Sequence, residues 1–295
     1  MTTTIAEVLA VLERAYPPVL AQEWDTGIGL TCGDPADPVS TVLLAVDLDE
    51  AVIAQAREIG ARMIVTHHPL LFRPVQSVAV DRPKGALITS LIRAGIAHYS
   101  AHTNADKAVG GVGDALARVL GLAAVRPLVP DPIGLLPEGH PQAGRTGIGR
   151  IGLLAAPTTL AQFTAAVRDA LPATAAGVRA AGEPGRPIRT VALCGGAGDS
   201  ELGAAAAAGA DVYLSSDLRH HLVAEHLAAA GAPAVVDVAH WAGEWPWLAD
   251  AAQLIGRAVG ADSSAGSVTV TVSSIRTDPW TIHTCARSSS DRDDS

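Results

Sequence analysis

The chain has 295 residues and a mass of 30.0 kDa, which is enough for two ordinary domains or one large α/β unit. Hydrophobic residues make up 48% of the chain and charged residues 17%, a balance that excludes intrinsic disorder for most of it. The net charge of −9 and the lack of a Lys/Arg block argue against binding to nucleic acid or to a membrane surface.

Helical and extended segments alternate in residues 1–125, which we assign to a first domain. Thr4 and Glu7 form a capping box at the start of a helix that Pro17 ends. The following segments are predicted in order as strand 42–46, helix 49–60, strand 61–66, helix 85–94, strand 95–100 and helix 114–120. Strands that alternate with helices of about ten residues predict an α/β fold with a mainly parallel sheet flanked by helices.

The middle and the end of the chain differ in composition. Residues 126–149 are rich in Pro and Gly and are predicted to be a linker. A second α/β domain is predicted over 150–265, with strands at 150–155, 188–193, 211–215 and 234–238 and helices at 158–170, 200–208, 219–230 and 244–259. Alternating Val residues predict a strand within 266–285 that can return to the first domain, and the polar tail 286–295 is predicted to be disordered.

A pair of histidines follows the predicted strand 61–66. Neighbouring side chains in a regular strand point to opposite faces, but Pro69 ends this strand directly after His67 and His68. Two imidazoles that diverge from a turn suit two different metal ions better than one. An exposed pair of loop histidines is the alternative interpretation.

Two further motifs follow predicted strands. Asp106 comes after strand 95–100 and can ligate a cation, although an Asp in a loop turn explains it equally well. His240 and Glu244 follow strand 234–238 at a spacing that puts both on one helical face, within reach of one ion, but such a spacing is common by chance. All three motifs lie at the carboxyl ends of strands, where open α/β sheets place their sites, so together they predict a metal centre.

The charges of the predicted ligands are consistent with a centre of two metal ions. Two divalent ions bring a charge of +4, and the carboxylates of Asp106 and Glu244 bring −2 if the histidines are neutral. The remaining positive charge would favour a bridging hydroxide and an anionic or carbonyl-bearing ligand, as in two-metal hydrolases.

Several motifs give the sequence a resemblance to a known family. They include Glu23-Trp24-Asp25, Thr66-His67-His68-Pro69-Leu70, Ser100-Ala101-His102-Thr103-Asn104-Ala105-Asp106 and Asp237-Val238-Ala239-His240 with Glu244. On these motifs the chain resembles the NIF-three-like family, whose members are labelled GTP cyclohydrolase I type 2 homologues. The likeness spans nearly the whole chain, although longer members carry an inserted middle domain that this chain is too short to hold.

The resemblance implies a dinuclear centre at the interface of two α/β domains. Its ligands would be His67, His68, Asp106, His240 and Glu244. One ion would take His68 and Asp106, the other ion would take His67 and His240, and Glu244 would bind both. The two divalent ions would be Zn, Fe, Mn, Co or Ni, because imidazole and carboxylate ligands bind all of these metals and do not identify which is present. The resemblance also implies ring-shaped homohexamers whose metal sites face an inner cavity.

The chain departs from the family pattern near Glu244. Many members have Gly at the position of Ala239 and Ser or Thr at the position of Gly243. A missing hydroxyl beside Glu244 puts the support of this ligand in doubt, but not the ligand itself.

Other residues have more than one interpretation. His102 is a candidate proton shuttle or a neighbour of the ligands, whereas Asp25 is expected to be structural. His221 and Trp241 are candidates for lining the pocket, and Asp217 can cap a helix.

Two short segments also remain open. The cluster of Trp241, Trp245 and Trp247 can stack a planar base or pack a helix start at a subunit interface. The glycine-rich segment 195–198 can cradle an anion on its backbone amides or form a tight turn from a strand to a helix.

Cysteine usage and the absence of targeting signals indicate a cytoplasmic protein. Cys32, Cys194 and Cys285 are far apart and form no CxxC pair, so we expect no disulfide framework and a reducing compartment. The N-terminal segment lacks the features of a signal peptide, and no apolar run reaches the roughly 18–20 residues of a membrane span.

Two classes of function fit these observations. The first is a dinuclear-metal-dependent hydrolase in which a metal-bound hydroxide attacks a nucleotide-like or heterocyclic small molecule, with Glu244 and His102 transferring protons. If the family label applies, a C–N bond in the imidazole ring of GTP is hydrolysed. The alternative is a non-catalytic ring that stores or delivers metal or regulates a partner. A DNA-associated factor fits the acidic charge poorly.

Overall fold

The computed structural model describes residues 2–260 and 267–284. The tail 286–295, for which disorder is predicted, lies outside the described residues. Of the segments assigned to the second domain, 261–265 also lies outside them. Within the described ranges, no helix combines the length and the apolar character that crossing a membrane requires.

The structure contains two sheets with helices around them. The helices are α1 (Ile5–Ala15), α2 (Glu50–Glu58), α3 (Pro83–Ala94), α4 (Thr103–Lys107), α5 (Val112–Val119), α6 (Leu160–Ala170), α7 (Leu202–Ala207), α8 (His220–Ala228), α9 (His240–Glu244) and α10 (Pro246–Gly260). The strands are β1 (Gly29–Cys32), β2 (Thr41–Ala45), β3 (Met63–Thr66), β4 (Ala97–Ser100), β5 (Ala123–Pro130), β6 (Gly147–Thr159), β7 (Val178–Ala181), β8 (Pro187–Ala197), β9 (Val212–Ser216), β10 (Ala234–Val238) and β11 (Thr269–Val272).

Local signals in the sequence fix several helix ends. The Thr4 side chain accepts a hydrogen bond from the backbone of Glu7, and the Glu7 side chain accepts one from the backbone of Thr4 in return. At the start of α2, the carboxylate of Asp49 accepts from the backbone of Val52 at 2.8 Å. Because Gly95 adopts a positive φ of 61°, it can end α3 in the left-handed region that other residues avoid.

The first sheet has the strand order β1-β4-β3-β2-β11. β4, β3, β2 and β11 are parallel to one another, and β1 pairs antiparallel with β4. β11 comes from the far end of the chain and pairs Thr269 with Thr41. The carboxyl ends of β2, β3 and β4 therefore lie side by side at one edge.

The second sheet has the order β5-β6-β8-β9-β10-β7 and is mixed. β8, β9 and β10 are parallel, whereas β5, β6 and β7 pair antiparallel to their neighbours. Two helix-flanked α/β sheets confirm the predicted fold class, but this sheet contains more antiparallel pairing than the sequence indicates.

The predicted linker is the largest difference in secondary structure. β5 and the start of β6 occupy both ends of 126–149 and are paired with each other, so that Pro127 lies opposite Arg150. Pro lacks an N–H and is tolerated in a sheet mainly at an edge, which is the position of β5. A second difference is helix 244–259, because a short helix, α9, already begins at His240 and α10 follows from Pro246.

The two sheets share one apolar core. It joins Val42 and Val65 of the first sheet to Val191 and Leu214 of the second, with α10 contributing the fully buried Trp247. The outer face of the first sheet packs against α2 and α3, and that of the second against α7 and α8. This layering holds the carboxyl ends of both groups of parallel strands in fixed positions.

Candidate metal centre

The three motifs predicted from the sequence meet at one point between the sheets. His67 and His68 follow β3 directly, and Asp106 lies in α4 just after β4. His240 and Glu244 lie one turn apart in α9, which follows β10 of the second sheet. These five side chains therefore lie at carboxyl ends of parallel strands from both sheets.

Glu244 lies at the middle of the cluster. Its two carboxylate oxygens are 3.3 Å from His67 Nε2, 3.0 Å from His68 Nε2 and 2.9 Å from His240 Nε2. Two ligand atoms that each lie about 2.1 Å from one ion are about 3.0–3.4 Å apart. The spacing of the side chains therefore suits a divalent cation.

The two carboxylate oxygens of Glu244 face different histidines. Oε1 contacts both His67 Nε2 and His240 Nε2, whereas Oε2 contacts His68 Nε2. The other side chains also approach one another, since His68 Nε2 lies 3.2 Å from His240 Nε2 and Asp106 Oδ1 lies 3.6 Å from His67 Nε2. Each of the three histidines therefore has at least two candidate ligands as neighbours.

Each imidazole is held through its other ring nitrogen. Nδ1 of His68 lies 2.6 Å from the Asp47 carboxylate, and Nδ1 of His240 lies 2.7 Å from that of Asp217. Nδ1 of His67 lies 2.9 Å from the carbonyl oxygen of Ala101. If Nδ1 donates in all three bonds, Nε2 keeps a free lone pair for a metal ion, which is the usual arrangement of metal-binding histidines.

Asp47 is not among the residues that the sequence motifs select, and helix capping was one interpretation of Asp217. Asp217 makes no cap, since α8 begins without a capping side chain, and it hydrogen-bonds His240 instead. A usable signal was present, because Asp47 and Asp217 follow the ends of β2 and β9 by two residues and one residue. The rule that selected the ligands, polar residues at the carboxyl ends of strands, applies to these two aspartates as well.

Several buried polar atoms of the cluster have no hydrogen-bond partner among the described residues, which is consistent with a bound cation. His67 Nε2, Asp106 Oδ1 and Glu244 Oε2 are buried and have no hydrogen-bond partner within the described chain. A buried polar atom without a partner is costly and calls for an explanation such as an ion. Imidazole nitrogens together with carboxylate oxygens are donors that borderline divalent ions accept, so the residues fit a metal.

The charged side chains of the cluster shift one another's pKa values. Burial alone would raise the pKa of the Glu244 carboxyl, but the neighbouring imidazoles outweigh it and hold this pKa well below its usual range. The charge of Glu244 raises the pKa of His240 to about 11. Burial lowers the pKa of His68, but Glu244 and Asp47 outweigh this effect and raise it to about 10. The same negative charge favours a cation beside these rings.

The glycine-rich segment 195–198 lies against the ligands. A Cβ on Gly196 would lie 2.4 Å from Glu244 Oε1 and 3.1 Å from His240 Nε2, and the φ of this residue is +68°. β8 runs through Ala197, and Gly198 then leads into a 3-10 turn at Asp199–Glu201 and on into α7, so the segment connects the end of a strand to a helix. Glycine is needed at residue 196 because the backbone approaches the ligand atoms so closely.

His102 lies beside the ligands and is held by a buried carboxylate. Its Nδ1 is 3.0 Å from Asp25 Oδ2, and its ring centre is 5.2 Å from that of His67. The same oxygen of Asp25 accepts hydrogen bonds from the backbone and the hydroxyl of Thr103. Asp25 therefore contacts both the first residue of α4 and a histidine beside the cluster.

A cavity of about 910 Å³ opens onto the cluster. It is lined by His68, His102, Asp106, His240 and Glu244, and also by Trp241. His221 is exposed on α8 and does not line the cavity. Trp247 is buried and packs against the rings of Tyr16 and His67, so it serves packing and not base stacking.

The chain is similar in sequence to curated relatives over most of its length. A protein of Streptomyces coelicolor named GTP cyclohydrolase 1 type 2 homolog is 44% identical over 280 residues, which cover 95% of this chain and 94% of the relative. A protein of Mycobacterium tuberculosis with the same name is 35% identical over an alignment of 379 residues, covering 96% of this chain and 98% of the relative. That alignment is longer than this chain, so the mycobacterial protein carries additional segments.

A solved structure shares the fold. The crystal structure of a Bacillus cereus protein related to NIF3 superimposes with a TM-score of 0.86 at 26% identity, covering 96% of this chain and all of the other chain (100%). The model of the family described as Duf34/NIF3 (NGG1p interacting factor 3) matches residues 3–279. The chain therefore belongs to the Duf34/NIF3 family, as the sequence motifs predicted.

Proposed function

We propose that this protein is a hydrolase that uses two divalent metal ions to break a C–N bond in a nucleotide-like or heterocyclic substrate. One observation carries the proposal. Nε2 atoms of His67, His68 and His240 converge on the carboxylate of Glu244, while all three Nδ1 atoms are held by other acceptors. Such preorganised nitrogen and oxygen donors above a cavity are typical of metal-dependent hydrolases.

The two oxygens of Glu244 support an assignment of the ligands to two ions. Oε1 contacts His67 and His240, and Oε2 contacts His68. A carboxylate whose oxygens face different histidines can hold two ions close together. We therefore assign one ion to His67 and His240 and the other to His68 and Asp106, with Glu244 binding both.

The bound ions would supply Lewis acidity, which lowers the pKa of water and polarises the bond to be broken. The chain's own residues supply the rest. His102 Nδ1 lies 3.0 Å from the Asp25 carboxylate, which faces this side of the ring, so the other ring nitrogen of His102 is left to take or give a proton at the cavity. Buried Glu244 is held as a carboxylate by the three imidazoles, and the Nδ1 contacts hold these imidazoles in place.

The name of the relatives suggests a substrate class. The Streptomyces coelicolor and Mycobacterium tuberculosis proteins are both named GTP cyclohydrolase 1 type 2 homolog. We therefore place GTP and simpler purine compounds first in a substrate screen. We also propose that the chain works in the cytoplasm as a homohexamer, which sedimentation of the purified protein would test by its mass.

The decisive experiment combines metal analysis with a hydrolysis screen. Purified protein is loaded with Zn²⁺, Mn²⁺, Fe²⁺, Co²⁺ or Ni²⁺ and assayed against nucleotides, nucleosides and free heterocycles. We expect two ions per chain and turnover of at least one compound. His68→Ala should lose at least one ion and at least a hundredfold in rate, whereas the matched control His221→Ala, an exposed histidine outside the cavity, should keep both.

Two outcomes would contradict the proposal in different ways. Full metal stoichiometry in His68→Ala would refute the ligand assignment. Two tightly bound ions in the wild-type protein, with no turnover in any metal form, would refute the hydrolase and leave a metal-binding or metal-delivery ring.

A further inference from the structure

The cavity above the centre has an aromatic wall that the proposed metal ligands do not need. Trp24 and Phe72 both line it and are 60% and 45% exposed, although the chain is only 3% aromatic. Their rings contact each other edge to face with 5.8 Å between centroids. Large apolar side chains left open to solvent at a cavity mark a surface for a ligand.

This aromatic wall is continuous with the metal centre. The ring of His102 lies 6.0 Å from Trp24 and 5.9 Å from Phe72, and on its other side it lies 5.6 Å from His68. Only the imidazole of His102 would therefore separate a planar ring packed on Trp24 or Phe72 from the proposed metal ligand His68. Stacking on aromatic side chains is the common way in which proteins hold planar bases.

The polar lining of the cavity is acidic. Its carboxylates are Asp47, Asp106, Glu201, Asp217, Asp237, Glu244 and Asp278. Apart from histidines, the only cations among the described lining residues are Lys107 and Arg179, and both are engaged. Lys107 lies 2.6 Å from Asp131 in a nearly buried ion pair, and Arg179 pairs with Asp237.

The two proposed ions do not reverse this balance. Two divalent cations bring +4, and the four carboxylates that bind them or hold their histidines, Asp47, Asp106, Asp217 and Glu244, bring −4. The centre with its supporting carboxylates is thus neutral when the imidazoles are neutral. No free Lys or Arg in the described lining remains to bind a chain of phosphates.

One carboxylate is also available for a donor on the ligand. Asp278 lines the cavity, is 6% exposed, and its Oδ2 has no hydrogen-bond partner within the described chain. A carboxylate only accepts hydrogen bonds, so its natural partner is an N–H group. Ring N–H and amino groups of a heterocycle provide such donors.

We infer that the cavity binds a planar, uncharged or cationic nitrogen heterocycle, packed on Trp24 and Phe72 with an N–H group toward Asp278, and that it disfavours polyphosphates. This inference rests on the proposed function, because it names the substrate class of the same site. It predicts that a nucleoside or free base is a better ligand than the corresponding triphosphate.

The test is equilibrium dialysis of the metal-loaded full chain with guanosine, adenosine, cytidine, GTP and inorganic triphosphate. We expect at least one nucleoside to bind, GTP to bind no more tightly than guanosine, and inorganic triphosphate to bind most weakly. Trp24→Ala should weaken nucleoside binding about tenfold, and Phe72→Leu and Asp278→Asn should weaken it in the same direction. The control is Ile133→Ala, since Ile133 is a fully exposed apolar side chain that does not line the cavity.

Each result decides the inference. Tighter binding of GTP or triphosphate than of every nucleoside would overturn it, as would no binding of any nucleoside or unchanged binding in both Trp24→Ala and Phe72→Leu. Circular dichroism of the variants excludes unfolding as the cause of a loss. Nucleoside binding without turnover would refute the hydrolase but keep this inference, whereas turnover of a non-aromatic compound unaffected by Trp24→Ala would do the reverse.

Discussion

The three histidines of the cluster are held by hydrogen-bond acceptors that are not among the proposed metal ligands. Asp47 and Asp217 each hold one Nδ1 atom, and a backbone carbonyl holds the third. Asp47 is in turn fixed by the hydroxyl of Thr277, which donates to its other oxygen at 2.5 Å. Such contacts orient the ring and increase its basicity, so their loss should affect metal binding before it affects the fold.

Removing these acceptors should weaken metal binding without abolishing it. We expect Asp47→Ala and Asp217→Ala each to lower metal affinity by about 10–100-fold, with full occupancy recovered at high metal concentration. Competition with a chromophoric chelator measures the affinity. Asp169→Ala, at an exposed aspartate that pairs with Arg168, is the control and should behave as wild type. Unchanged affinity in both Asp47→Ala and Asp217→Ala would show that the Nδ1 contacts are incidental.

The proposed metal ligands were easier to predict from the sequence than the residues that hold their Nδ1 atoms. His67, His68, Asp106 and the pair in α9 could be selected because they are metal-ligand types directly after apolar strands, and the structure brings them together. The distances between them could not be predicted, because these distances depend on side-chain directions across two sheets. His221 was suggested by sequence proximity alone, and its exposed position on α8 depends on how that helix packs.

At the scale of elements, a buried arginine ties α4 to α5 and β6. Arg150 in β6 is 1% exposed, and its guanidinium donates to Asp114 of α5 at 2.5 Å. It also donates to the carbonyl oxygens of Lys107 and Ala108, the two residues after the proposed ligand Asp106. The end of α4 is thus held by charge-assisted hydrogen bonds from the second sheet.

Breaking this contact should cost stability. Arg150→Met leaves the Asp114 carboxylate and several carbonyl oxygens without a partner, so we expect a loss of about 3 kcal/mol in the free energy of unfolding. Arg150→Lys keeps the charge but not the planar array of donors, and should recover only part of it. Urea unfolding measures both variants. A loss below about 0.5 kcal/mol for Arg150→Met would contradict the role given to this residue.

β4 carries a buried histidine that should make the protein acid-sensitive. Burial, with a smaller contribution from Lys84, lowers the pKa of His98 to about 3. The hydroxyl of Thr66 donates to the carbonyl of His68 and lies 2.9 Å from His98 Nε2, so the neutral ring donates to this hydroxyl. Since the unfolded chain binds this proton near pH 6.5, the stability that the neutral ring contributes is complete above that pH and falls toward pH 3.

The expected result is a pH-dependent difference between two proteins. Between pH 6.5 and pH 4 the wild-type protein should lose up to about 1.4 kcal/mol per pH unit relative to His98→Gln, which does not titrate but keeps an N–H donor. Urea unfolding of both metal-free proteins at several pH values measures the difference. Because the other histidines are common to both proteins, their contributions cancel. Parallel stability curves would rule out a neutral buried His98.

The parallel strands could be predicted from the sequence, whereas the antiparallel pairing of β5 with β6 could not. The parallel strands β2, β3 and β4 were predictable because helices separate them, which requires crossovers. β5 and the start of β6 were not predicted because Pro and Gly normally interrupt strands. Pro is tolerated in β5 because this strand lies at the edge of the sheet, and an edge position depends on tertiary structure that composition does not reveal. The pairing of β6 with β8 depends on contacts of the same kind.

At the scale of the whole molecule, the proposed ligands join the two sheets. His67, His68 and Asp106 belong to the first sheet, and His240 and Glu244 belong to the second. A cation bound to both sets would stabilise only the folded state, in which the sheets are in contact.

Metal should therefore raise the thermal stability of the whole chain in one transition. At a metal concentration about 100-fold above Kd, we expect about 2.7 kcal/mol of stabilisation, which corresponds to a rise in Tm of several degrees. Calorimetry of the metal-loaded and chelator-treated protein measures it. His67→Ala should lose most of the shift and His221→Ala should keep it. An equal Tm with and without metal would show that the sheets are not linked through the centre.

The path of the chain also has a consequence for biosynthesis. β11 pairs with β2 across more than two hundred residues, and Thr277, which steadies Asp47, follows β11. A ribosome must therefore have made residues 269–277 before the first sheet can complete its edge and the support of His68 can form. Until then a nascent chain would expose an unfinished sheet edge, and the proposed metal ligands would lack part of their support.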